Sequence, residues 1–182
     1  MTRIISGKYG GRKLIVPDSA RPTTEMVREA MFSTLNGWDA LSEKNVLDLY
    51  SGSGGLGFEA LSRGAKAAVF VESDFKAVET LKKNAENLEI QVSIKKQSAK
   101  NFSQLPHQGE QFDLVLIDPP YRVANSEIEE IIQNLIVHDF LSSHAILVVE
   151  RPSRDIFSWP KSIEELKTKR YGDNTLYYGS VA

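Results

Sequence analysis

Apolar residues along the chain fall into two rhythms. Short continuous runs mark strands buried on both faces: Val46-Leu47-Asp48-Leu49-Tyr50, Ala67 to Glu72 and Phe112-Asp113-Leu114-Val115-Leu116-Ile117-Asp118. Between and around them, apolar positions recur at helical spacing: Val27, Ala30, Met31 and Leu35; Val78, Leu81 and Ala85; Ile128, Ile131, Ile132 and Leu135. Thr23 or Thr24 can cap the first of these helices, and Ser126-x-x-Glu129 reads as a capping box at the head of the last. Val92 to Lys95 is a weaker strand and Ala145 to Glu150 a further one. Leu166 to Tyr171 and Thr175 to Val181 read as a terminal antiparallel pair. Ahead of all this, residues 3–16 predict two short strands around Gly10-Gly11, and Asp18 to Pro22 a linker. Alternating strands and helices predict an α/β fold: a mostly parallel, doubly wound sheet with an N-terminal β-hairpin and helix. One domain is expected over 1–182, with a hairpin arm and linker over 1–22 and the core over 23–182.

The composition narrows the chemistry. With 182 residues, 41% hydrophobic and 25% charged, the chain can bury one sizeable core, which excludes a disordered or fibrous protein. It has no cysteine, so disulfides, thiolate-bound metals and a thiol nucleophile drop out. His107, His138 and His144 are scattered without ligand spacing, so no metal site is expected. No apolar run reaches the ~20 residues of a membrane span, and the first residues do not form a secretory signal. A soluble, cytoplasmic protein is expected, and nothing in the sequence asks for a second copy. The charge is lopsided. Residues 1–28 carry Arg3, Lys8, Arg12, Lys13, Arg21 and Arg28 against Asp18 and Glu25, whereas the rest of the chain is acidic and the net charge is −2. A basic arm on an acidic body suits a polyanionic partner, although a merely solvated hairpin would look the same.

Three features stand where strands are expected to end, the edge at which open α/β sheets bind ligands. The first is Asp48-x-x-x-Gly52-x-Gly54-x-x-Gly57, with Ser51 and Ser53 in the same turn. Glycines there permit a tight turn and a close backbone approach, as they also would in a turn without a ligand. The second is Glu72, 20 residues after Gly52, a carboxylate able to accept from both hydroxyls of a ribose or simply to face water. Together they point to a nucleoside-containing cofactor. Spacing alone leaves a dinucleotide such as NAD and S-adenosylmethionine both open; Asp48 could serve the ammonium of the latter. The third feature, Asp118-Pro119-Pro120-Tyr121, separates the two. Two prolines fix the backbone and remove two N–H donors, which suits a planar exocyclic amine. The Asp118 carboxylate and the Pro119 carbonyl can each accept one amine hydrogen while Tyr121 stacks on the base. Methyl transfer to such an amine needs no strong base and no metal; positioning and electrostatics supply the rate.

With these motifs in view, the whole chain resembles the bacterial 16S ribosomal RNA (guanine-N2) methyltransferases of the guanine-966 type. The matching segments are Arg3 to Leu14, Arg21-Pro22-Thr23-Thr24 with Arg28, the glycine turn, Asp118-Pro119-Pro120-Tyr121 and Tyr171-Gly172-Asp173. The resemblance implies a Rossmann-like class I methyltransferase fold, a seven-stranded mostly parallel sheet whose last strand is antiparallel. It implies S-adenosylmethionine as cofactor and, as partner, a guanine of 16S rRNA in an assembled or nearly assembled small subunit. Asp48, Ser51, Gly52, Ser53, Gly54, Gly57 and Glu72 would hold the cofactor, and Asp118, Pro119, Pro120 and Tyr121 the target amine and base. One departure stands at Ser98, where such enzymes usually place Asp or Asn to contact the adenine amine; a hydroxyl reaches less far, and the Ala99 N–H would serve adenine N1. Arg3, Lys8, Arg12, Lys13, Arg21 and Arg28 would grip phosphates, with Arg122 at the mouth of the site. Two other readings are an amino-methyltransferase acting on adenine or cytosine in DNA, for which 182 residues leave little room, and a non-catalytic ribosome-assembly factor of the same fold.

Overall fold

The computed structural model describes residues 2–17 and 23–182. In chain order the elements are β1 (Thr2–Arg3), β2 (Lys13–Leu14), α1 (Glu25–Gly37), β3 (Asn45–Leu49), α2 (Gly55–Ser62), β4 (Ala67–Glu72), α3 (Phe75–Leu88) and β5 (Ser93–Lys96). They continue with α4 (Ala99–Ser103), β6 (Phe112–Ile117), α5 (Asn125–Val137), β7 (Leu141–Pro152), β8 (Ile163–Tyr171) and β9 (Asn174–Val181). Seven strands form one sheet in the order β5-β4-β3-β6-β7-β9-β8. The first five are parallel to one another, and β9 enters antiparallel to both β7 and β8.

The sheet is buried on both faces, so side chains of each central strand alternate between two cores. Val46, Phe70, Leu114, Leu116 and Val148 face α1, α2 and α3, whereas Leu47, Val71, Val115, Ile117 and Val149 face α4 and α5. That alternation explains the continuous apolar runs. It also sends Asp48, Glu72 and Glu150 to the α1–α2–α3 side, near the ends of their strands.

Two local expectations need correction, and two features were not foreseen in the pattern. The capping box does not form: α5 begins at Asn125 behind Ala124, whose side chain caps nothing, so Ser126 already lies in the first turn. β7 runs well past Ala145–Glu150 at both ends, lengthened by pairing with β9 through Pro152↔Asn174. The short helix α4, capped by Ser98, follows β5 without an apolar pattern long enough to announce it. The N-terminal hairpin forms as expected, Thr2 opposite Leu14 and Arg3 opposite Lys13, with the Ile4 N–H donating to the Arg12 carbonyl and the Gly11 N–H to the Ile4 carbonyl, while other donors of the arm go to the body. The N–H groups of Ile5 and Ser6 donate to the two oxygens of the buried Glu59 carboxylate, at 2.7 and 3.1 Å. Lys8 N–H donates to the Ser62 carbonyl and Tyr9 N–H to Ser62 Oγ. Gly7 makes that seat possible: at φ +84°, a Cβ there would stand 1.9 Å from the Ser62 carbonyl oxygen. The linker from Asp18 to Pro22 lies outside the described residues.

Candidate active site

β3 delivers Asp48 into the interior just before the glycine turn. The side chain is 1% exposed and its Oδ2 accepts the Gly57 N–H at 2.9 Å. Burial pushes the carboxyl up to about 8 against the pull of that N–H, and the charges of Asp118 and Glu72 push the same way. Gly57 is required by close approach, since a Cβ would stand 2.3 Å from the Phe70 ring. The turn is tied to β4 by Ser51, whose N–H and hydroxyl both donate to the Val71 carbonyl, and Gly54 caps α2 at φ +89°. Glu72 Oε2 accepts the Gly52 N–H at 2.8 Å and its Oε1 the Asp74 N–H at 2.8 Å, which fixes the carboxylate at the edge with a lone pair left on each oxygen. From the far side, the Ser53 carbonyl accepts from Asn84 Nδ2.

Ser98 Oγ is engaged locally, accepting the Asn101 N–H as the cap of α4 at 3.1 Å. Ala99 N–H sits in the first turn, where helix geometry leaves it without a carbonyl partner.

Asp118 follows β6, beside the turn after β3. Its Oδ2 accepts from Thr23 Oγ1 at 2.6 Å, and the same hydroxyl lies 3.3 Å from Glu150 Oε2, two residues before the end of β7. Burial raises the Asp118 carboxyl, while the Thr23 hydrogen bond and the Arg151 charge oppose the rise. Pro119 is buried and Pro120 exposed; Tyr121 is 41% exposed, with its hydroxyl donating to Asn174 Oδ1 at 3.1 Å. Arg151, buried under this loop, donates to the Val123 carbonyl at 2.8 Å. The sequence offers Thr23 only as a helix cap and within the matching Arg21-Pro22-Thr23-Thr24 segment, and it does not mark Glu150, Arg151 or Asn174 as site residues. Glu150 carried the signal that singled out Glu72, an acid closing a strand. Nothing near Thr23 in the sequence reveals its bond to Asp118, which lies 95 residues away.

The basic residues are scattered. Arg28 must be corrected as a phosphate ligand: it is 2% exposed, donates from Nη2 to the Arg3 carbonyl and lies 3.9 Å from Glu59, so it has no path to solvent. Arg3 is exposed and paired with Glu25 at 2.8 Å. Lys8 and Arg12 both stand over the Tyr9 ring, Arg12 also reaching the Asn87 carbonyl, while Lys13 and Arg122 are exposed. Arg21 lies outside the described residues. The hairpin rests on Ser62, the last residue of α2, about 12 Å along the helix from the glycine turn. Among the described residues, no group of three or more His, Asp or Glu side chains could hold a metal ion, and no helix is long and apolar enough to cross a membrane.

A parallel sheet reversed at its next-to-edge strand, with a glycine turn after β3 and an acid closing β4, defines a Rossmann-like S-adenosylmethionine-dependent methyltransferase. The residues present fit that cofactor. Among the described residues, the space a Cβ of Gly52 would enter is open for 4 Å, each Glu72 oxygen keeps a lone pair, and Asp48 has a second oxygen beyond the one that holds Gly57. The family described as conserved hypothetical protein 95 matches residues 2–180. Ribosomal RNA small subunit methyltransferase D of Haemophilus influenzae is 36% identical over 175 residues, covering 93% of this chain and 89% of that one. The Escherichia coli protein of the same name is 38% identical over 151 residues, covering 81% and 73%. A solved structure of a candidate methyltransferase from Escherichia coli superposes with a TM-score of 0.88 at 31% identity, covering 99% of this chain and 97% of that one. The chain belongs to the family of the ribosomal RNA small subunit methyltransferases D.

Proposed function

We propose that the chain transfers a methyl group from S-adenosylmethionine to the exocyclic N2 amine of one guanine, of the 966 type, in 16S rRNA. The substrate is the assembled or nearly assembled small subunit, and the whole chain acts as one domain, a cytoplasmic monomer. The observation that carries this reading is Asp118, followed by two prolines, at the strand end beside the glycine turn. When bound, the cofactor supplies an electrophilic methyl group on a sulfonium sulfur. Asp48, Ser51, Gly52, Ser53, Gly54, Gly57, Glu72, Ser98 and Ala99 form its cradle. Asp118 and the Pro119 carbonyl accept the two N2 hydrogens and aim the nitrogen lone pair, and Tyr121, steadied by Asn174, stacks on the extruded base. The proton that N2 sheds passes to Asp118 or to water. Lys8, Arg12, Lys13 and Arg122, with Arg3 and Arg21, grip phosphate.

The test is methyl transfer from labelled S-adenosylmethionine to small subunits of a strain lacking the protein, followed by nucleoside digestion and mass spectrometry. N2-methylguanosine at one position of 16S rRNA is the expected product. Label in duplex DNA instead, or no label despite cofactor binding, overturns the reading.

A further inference from the structure

We propose that Glu150 is a positioning residue for this transfer: through Thr23 Oγ1 it holds the neighbouring Asp118 carboxylate as the acceptor facing the substrate amine. The inference rests on the role given above to Asp118. β6 and β7 pair in parallel with Ile117 opposite Val149, so Asp118 and Glu150 come next, side by side about 5 Å apart at the strand spacing. Thr23 Oγ1 stands between them, 2.6 Å from Asp118 Oδ2 and 3.3 Å from Glu150 Oε2.

A hydroxyl has one hydrogen to give. The shorter contact has the length of an O–H···O⁻ bond, so that hydrogen points to an ionised Asp118. The second contact is then a hydrogen bond only if Glu150 supplies the hydrogen, which requires a neutral carboxyl. The chain runs from the Glu150 O–H to Thr23 Oγ1 and from the Thr23 O–H to Asp118.

The surroundings distribute the charge the same way. Glu150 is 4% exposed, and burial pushes its carboxyl up to about 9, reinforced by Asp118 and opposed by Thr23. Among the described residues its own field contains Asp118 from the end of β6, Thr23 ahead of α1 and Tyr178 from β9, and none of these is a cation. Burial raises Asp118 as well, but Asp118 has the Thr23 donor and the Arg151 charge to oppose it, with Asp48 of β3 as a further acid nearby. Of two adjacent carboxyls, the one with a cation and a short donor ionises first.

The experiment compares the unaltered protein with Glu150→Gln, Glu150→Ala and Thr23→Val on small subunits lacking the methyl group. It reads kcat from about pH 6 to 10, KM for S-adenosylmethionine and thermal unfolding. Glu150→Gln keeps a donor toward Thr23 and cannot ionise. It is expected to restore most of the rate that Glu150→Ala loses, roughly tenfold or more in kcat, while KM for the cofactor stays unchanged in both. Thr23→Val loses rate like Glu150→Ala. The fall in kcat above about pH 9 is expected to weaken in Glu150→Gln. A Gln variant that folds yet is as slow as the Ala variant, or one whose alkaline fall matches that of the unaltered protein, overturns the inference. If the unaltered protein transfers no methyl to small subunits, the substrate reading itself falls.

Discussion

Asp48 lies where a cationic ligand group would be welcome, yet burial leaves its carboxyl largely protonated at neutral pH, at about 8. A ligand ammonium favours the ionised form, so binding must release a proton wherever Asp48 starts out neutral. Cofactor affinity is therefore expected to fall as pH drops from about 8 toward 6, by up to roughly tenfold per unit, and to flatten in Asp48→Asn. Calorimetry in two buffers of different ionisation heat checks both the slope and the proton release. The stability sign follows from the same shift. A carboxyl raised in the folded state stabilises fully below its unfolded value, and that stabilisation is lost as pH rises through about 8. Asp118 gives a second expectation: Asp118→Ala abolishes transfer while cofactor affinity, measured by calorimetry, stays within about threefold. Loss of both together would make Asp118 structural. At this scale the sequence disclosed residues whose meaning is local, such as Asp48 before its glycines or Asp118 before its prolines. It hid those defined by a distant partner. Arg28 read as a surface cation because nothing in its neighbourhood reveals Glu59 waiting 31 residues later in a core position.

Elements were legible wherever burial on both faces wrote a continuous apolar run, as in β3, β4 and β6. They were illegible where tertiary pairing set the limits, as at Leu141 and Pro152 of β7. The arm is the clearest case. Its glycines predicted a self-paired hairpin, and one forms, but the amides of Ile5, Ser6, Lys8 and Tyr9 go to Glu59 and Ser62 of α2, which no spacing within residues 3–16 records. Further along, Asn84 of α3 takes both polar groups of Ile15 and the carbonyl of Ser53, so one side chain links the arm to the glycine turn. Gly7→Ala is expected to destabilise the protein by about 1–3 kcal/mol, since the added carbon meets backbone rather than a movable side chain. Denaturant unfolding measures the loss. Binding to small subunits should weaken in the same variant under conditions where it remains folded and holds its cofactor normally.

At the scale of the molecule, the charge asymmetry takes physical form as a basic hairpin at one end of α2 and an acid-lined edge at the other. Lys8 and Arg12 flank Tyr9, so the tip offers two cations around an aromatic face rather than a loose tail of charge. Neutralising Arg12 and Lys13 together is expected to weaken subunit binding and to lower the slope of log affinity against log salt by about 2, one for each phosphate contact removed. A salt titration of binding decides it; an unchanged slope would leave the arm without a role in phosphate recognition.

The seat of the arm has a bearing on engineering. Residues 2–16 have the look of a portable RNA-binding tag: short, basic and at a terminus. Their address, however, is written elsewhere, in the carboxylate of Glu59, in both oxygens of Ser62 and in the amide of Asn84. Grafted onto another methyltransferase of the same fold, the segment would carry its charges without a place to put them. Moved together with α2 and the middle of α3, it would arrive as a fitted part.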